Sequence, residues 1–146
     1  MKILFIFSFS LLTINLFSQI NGKNVLILDL GCGFDVQPSK IVERTYNRVK
    51  KDRYSFIKRK LYKMNPAESF FAAVTLIVLD SLNKIKLSQK DLKRISILRD
   101  SNKSFNYCSA STVFSKVSLK DALSKNNKHS IFQEVEKFVI RIFDYY

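Results

Sequence analysis

Histidine occurs once in the 146 residues, at His129; cysteine occurs twice and tryptophan not at all. A single imidazole excludes a His-rich metal site and a two-histidine catalytic pair, and two thiols cannot build a thiolate zinc site. Acidic residues are also scarce, with 12 Asp+Glu against 25 Lys+Arg and a formal charge of +13. No carboxylate pair suits acid–base work, since Glu134 and Glu136 are two positions apart and diverge on a helix. No His/Asp/Glu cluster suggests a metal, and no cofactor is expected. Apolar residues, by contrast, are plentiful: 47% of the chain is hydrophobic, with 13 Phe and 6 Tyr. That composition supports a packed core and excludes disorder throughout, and the length suits one domain.

Met1-Lys2 is followed by an apolar run to Phe17 and then Ser18-Gln19. One positive charge, an apolar stretch of about 15 residues and a small residue before a polar one form a secretory signal pattern. Residues 1–18 are therefore expected to be a signal peptide cut at Ser18/Gln19, with a later cut near Gly22 as the variant. Residues 19–146 are expected to be one mainly helical domain, secreted or periplasmic. An uncleaved leader anchoring the protein is the alternative. Ser8, Ser10, Thr13 and Asn15 dilute the run, however, and a spanning helix needs roughly 20 residues. No membrane span is expected in the mature chain. Leader removal takes only Lys2 from the charge, leaving +12.

In an oxidising compartment Cys32 and Cys108 most simply pair. The bridge would close a loop of about 76 residues, a stabilisation of roughly 4 kcal/mol on the chain-entropy model. Two free buried thiols are the alternative.

Residues 24–30 read as a short buried strand ended by Gly31-Cys32-Gly33. Its candidate partners are residues 104–108 and 112–117; pairing with the first would bring Cys32 near Cys108. Residues 39–64 show a helical stripe of Val42, Tyr46, Val49, Tyr54, Ile57, Leu61 and Met64, started by Pro38 and Ser39. Asn65-Pro66-Ala67-Glu68 starts a second helix by three concordant signals. The body of that helix, residues 70–79, is apolar all round except Thr75 and too short to span a bilayer, so it is expected to be the core helix. Ser88 and Asp91 begin another helix to about Arg99, with Leu92, Ile95 and Leu98 inward. Residues 101–111 read as a loop apart from Phe105 and Tyr107, residues 118–122 as a short capped helix and residues 125–129 as a linker. From Ser130 a helical period runs to the C-terminus. The expected fold is mainly α: four to five helices around a central apolar helix, with at most a short two-stranded β element.

Leu28-Asp29-Leu30-Gly31-Cys32-Gly33 resembles the first motif of the Rossmann-like methyltransferases, where a strand runs into a glycine turn. That resemblance implies S-adenosylmethionine as cofactor, with Asp29, Gly31 and Gly33 as the positions carried over. It covers about eight residues, 27–34. Asp35 stands where the pattern has a third glycine, and no second strand with an acidic end follows. The remaining chain reads as consecutive helices instead of alternating strands. A buried strand leading into a tight turn is the expected reading. A Cys108–His129 nucleophile pair is the other enzymatic alternative; a bridged Cys108 would remove it.

The basic face of residues 39–64 carries the functional content, with ten Lys and Arg against Glu43 and Asp52. Arg44, Arg48, Lys51, Lys58, Arg59, Lys60 and Lys63 are the candidate binding residues, interleaved with Tyr46, Tyr54, Phe56 and Tyr62. Such a face attracts anionic lipid, acidic glycan or an acidic protein; export disfavours nucleic acid. A solvated face that only keeps the protein soluble is the alternative. The expected function is a small non-enzymatic binding module contacting an anionic surface or partner.

Overall fold

A computed structural model describes residues 25–28, 38–109, 115–124 and 131–144. In chain order the elements are β1 (Val25–Leu28), α1 (Lys40–Val49), α2 (Tyr54–Leu61), α3 (Pro66–Ser81), α4 (Gln89–Arg99), β2 (Ser104–Ser109), β3 (Ser115–Ser118), α5 (Leu119–Ala122) and α6 (Ile131–Asp144). The chain is mainly helical with a small sheet, as expected. Residues 1–18, Asp29, Gly31, Cys32, Gly33 and His129 lie outside the described residues.

The core is built around α3. Pro66 fills its first position, where a backbone N–H would have no helical partner, and Asn65 Oδ1 accepts the Glu68 N–H at 3.1 Å. Phe70, Phe71, Ala73, Val74, Leu76 and Leu79 have no exposed surface, so the helix is covered on every side. It packs chiefly against α2 and α6. The buried polar groups stay satisfied: Thr75 donates to the Phe71 carbonyl at 2.7 Å and Ser69 to that of Pro66 at 3.1 Å. Replacing Asn65 by alanine is expected to cost about 1 kcal/mol. That would appear as a lower urea midpoint with an unchanged slope.

The single helix expected over residues 39–64 is in fact two. The three glycines of the chain are Gly22, Gly31 and Gly33, so none is available to end this helix. Asp52 takes the left-handed conformation instead, at φ 52°. The Arg53 N–H then reaches the Arg48 carbonyl at 2.9 Å and the Asp52 N–H that of Val49 at 3.0 Å. Those two bonds are the closure that glycine usually makes at a helix end. Asn83, at φ 55°, ends α3 in the same way, with Lys84 N–H on the Leu79 carbonyl at 2.9 Å. Asp and Asn are the non-glycine residues that tolerate this backbone best. Of the expected stripe, Val42, Val49, Ile57 and Leu61 are buried, but Met64 is 85% exposed.

The small sheet is centred on β2, which pairs antiparallel with β3 and in parallel with β1, Val25 opposite Asn106 to Leu28 opposite Ser109. Both candidate partners thus become strands, and the presumed loop of residues 101–111 contains β2. The parallel pair is joined by the four helices α1–α4, a long crossover of the sort such a pair needs. The buried Phe105 ring stacks on Phe70 with centroids 5.1 Å apart, tying sheet to core. Cys108 is fully buried in β2, opposite Ile27.

In α4, Ile95 and Leu98 face inward as expected, but Leu92 is 44% exposed and Asp91 takes the buried place, at 5%. Ser88 and Asp91 form a reciprocal capping box there. Ser118 caps α5, and α6 buries Ile131, Phe132, Val135, Val139 and Ile142.

Candidate anion-binding cleft

The turn at residues 50–53 folds α2 back beside α1, and an open cleft of about 780 Å³ lies at their junction. Arg44 and Arg48 reach it from α1, Arg59 and Lys60 from α2, and Lys63 from the segment beyond. Ile41 and Ile57 add apolar lining, while Phe56 and Tyr62 stand at the wall. Of the seven candidate basic residues, five are therefore brought together. Lys51, exposed in the turn, and Lys58 do not line the cleft.

Charge compensation divides the set further. Lys60 Nζ meets Glu68, the one acidic residue lining the cleft among the described residues, at 2.7 Å. Lys58 Nζ lies 3.4 Å from Asp91, on the side facing α4. Arg44, Arg48, Lys51, Arg59 and Lys63 make no ion pair among the described residues. Arg48 stands in the last turn of α1, and Lys58, Arg59 and Lys60 in that of α2, where the negative end of the helix dipole favours cations.

The aromatic residues serve different ends. Both the Arg48 and the Arg59 guanidinium carbons stand 4.1 Å from the centroid of the Phe56 ring. Each lies within the range of a cation–π contact. The Tyr62 ring faces Lys90 Nζ at 5.5 Å and Arg94 at 6.0 Å, and its hydroxyl donates to Asp91 Oδ1 at 3.0 Å. Burial raises the Tyr62 phenol above its ordinary range, with the Asp91 hydrogen bond and charge adding and Arg94 opposing. Tyr46 turns to Phe138 of α6, with centroids 6.5 Å apart, and Tyr54 donates to Asp52 in the turn. Burial and that carboxylate push the Tyr54 phenol up to about 12. Both cleft aromatics thus already have cations of their own chain as ring partners.

The spacing of Phe56 and Arg59, one helical turn apart, made their contact readable from sequence; Arg48 joins them only through the fold. Asp91, with its contacts to α2, carried no signal beyond its capping position. Among the described residues no His/Cys/Asp/Glu group could hold a metal, and no helix is long and apolar enough to cross a membrane. None of the family models, curated proteins or solved structures compared with the chain matches it.

Proposed function

We propose that this is a secreted or periplasmic, non-enzymatic binding module that engages an anionic partner through the cleft between α1 and α2. The observation that carries this reading is the convergence of Arg44, Arg48, Arg59 and Lys63 on one cleft with no carboxylate paired to them among the described residues. Uncompensated cations in a concavity concentrate anions there. A concave site receives a group or chain that projects into it, so an acidic glycan or an acidic protein segment suits it better than a flat lipid surface. Export rests on the apolar run of residues 3–17, and the Cys32–Cys108 bridge is part of the same proposal. The parallel β1–β2 register sets Ile27 opposite Cys108, five residues before Cys32, and the bridge requires the chain after β1 to turn back toward β2.

Binding of this kind should weaken steeply with salt. The triple replacement Arg44→Gln, Arg48→Gln and Lys63→Gln is expected to lower heparin affinity at low salt by about 5- to 150-fold, at about 0.3–1 kcal/mol per lost ion pair. Lys51→Gln, in the turn outside the cleft, should change it little. Retention on heparin and on anionic vesicles across a salt gradient checks both. Equal retention of triple variant and wild type would refute the proposal.

A further inference from the structure

Resting on that reading, we infer that Arg48 and Arg59 form a two-guanidinium receptor for a tetrahedral oxyanion of the sulfate or phosphate type, with Phe56 as its positioning residue. Each guanidinium carbon stands 4.1 Å from the same ring centroid, so the two carbons lie within about 8 Å of each other. Two like charges are thus gathered at one ring, with no carboxylate paired to either among the described residues. A guanidinium over a ring spends its face on the contact, whereas its five N–H donors lie in its plane. Neither Arg48 nor Arg59 donates a side-chain hydrogen bond or joins an ion pair among the described residues. Their N–H donors are thus unspent among the described residues.

The pair is also preorganised by the backbone. Arg48 sits in the last turn of α1 and Arg59 in that of α2. The hydrogen bonds that close the turn, Arg53 N–H to the Arg48 carbonyl at 2.9 Å and Asp52 N–H to the Val49 carbonyl at 3.0 Å, fix the approach of the two helices. Arg48 therefore presents its side chain from the residue whose carbonyl anchors the turn. Holding donors in place before binding cuts the ordering cost of association.

The donor set selects the ligand. One guanidinium fork satisfies a carboxylate through two parallel bonds. Two forks around one ring offer more donors and more charge than a carboxylate can use. They suit an anion with three or four oxygens and up to two negative charges. Glu68 does not neutralise them, because Lys60 holds it at 2.7 Å, and Arg44 and Lys63 extend the positive lining on either side. Such an oxyanion is supplied either as the free ion or as an ester on a larger molecule.

The test uses the full exported chain and separates fork geometry from charge. Sodium sulfate and sodium phosphate are titrated calorimetrically against sodium chloride at equal ionic strength, with heparin and phosphatidylglycerol vesicles read in parallel. Wild type should bind one oxyanion saturably. The double variant Arg48→Lys, Arg59→Lys keeps the charge and loses the forks, and Phe56→Leu keeps the charge and loses the ring; each should weaken oxyanion binding at least tenfold. Phe56→Tyr, which restores a ring, should recover it, with circular dichroism confirming the fold of each. A parallel loss with heparin or with vesicles assigns the ester source, and a loss confined to the inorganic ions assigns the free ion. If the double Lys variant binds sulfate as wild type does, or wild type binds heparin but no inorganic oxyanion, the receptor is refuted while the charge-driven cleft stands. If wild type binds none of the probes, both fall.

Discussion

Phe70→Ala is expected to remove about 3–5 kcal/mol of stability, the range for truncating a buried aromatic residue. Net stability of a domain is only about 5–15 kcal/mol, so the variant should be barely folded at physiological temperature. Phe70 has no exposed surface and lies in α3, and its ring stacks on Phe105 of β2 at 5.1 Å with the planes 29° apart. Truncation would remove buried area and open a cavity at the seam between helix and sheet. Collapse could not fill it, because α3 is held against α2 and α6 on its other sides. Loss of the ring pair adds about 0.5–1.5 kcal/mol beyond the buried area. The melting temperature should fall by on the order of 10–20 °C. Phe70→Leu, which keeps most of the volume but loses the ring pair, should cost less than the alanine variant, about 1–3 kcal/mol. Thermal and urea unfolding followed by circular dichroism measure both, and an alanine cost below about 1 kcal/mol would contradict the packing described.

What the sequence disclosed follows how local each determinant is. The centre of the fold was legible, because Asn65, Pro66 and Glu68 announce a helix start and the run behind them is apolar on all sides. The capping box at Ser88 and Asp91 and the short helix after Ser118 were legible for the same reason. The break between α1 and α2 was not. Lys50, Lys51, Asp52 and Arg53 read as more of a solvated face, and the usual stop signals, glycine and proline, are absent there. The five-residue step from Val49 to Tyr54 was the trace of it, one residue too long for a helical stripe. Leu92 reads as inward from its spacing to Ile95 and Leu98 but is 44% exposed. Asp91 displaces it because its partners Lys58 and Tyr62 come from the distant segment around α2.

The same limit applies to the cleft. Composition placed a net charge of +8 on residues 39–64, which suggested one continuous face. In the fold the seven candidate basic residues have three fates among the described residues. Lys58 and Lys60 bind carboxylates that join α2 to its neighbours, Lys51 stays in the turn, and Arg44, Arg48, Arg59 and Lys63 remain uncompensated in the cleft. That division follows the break at Asp52 that separates α1 from α2, which is a property of backbone closure, not of charge pattern.

The second large effect is expected at Asp91, where Asp91→Ala should cost about 2–4 kcal/mol, the sum of a lost cap and stranded partners of a buried charge. Its carboxylate accepts from the Ser88 hydroxyl at 2.7 Å, the Ser88 N–H at 3.2 Å and the Tyr62 hydroxyl at 3.0 Å, with Lys58 Nζ at 3.4 Å. One side chain thus starts α4 and fastens it to the end of α2. Burial by itself would raise the Asp91 pKa; the bonds from Ser88, Tyr62 and Lys58 outweigh it and hold the pKa below the ordinary carboxylate value. The unfolded chain, with a value of about 4, then takes up a proton before the folded one does. Stability from this group is therefore fully present above about pH 4 and is lost as pH falls through the lower folded value. Asp91→Asn removes that dependence. Its stability difference from wild type should be constant from neutral pH to about pH 5 and shrink in stronger acid, measured by urea unfolding at each pH. Tyr62 acts with the opposite sign: its raised pKa favours the folded state below the ordinary phenol value and ceases to do so as alkali ionises it. A difference between Asp91→Asn and wild type that stayed constant into strong acid would mean that Asp91 holds α4 to α2 through shape alone, not through its charge.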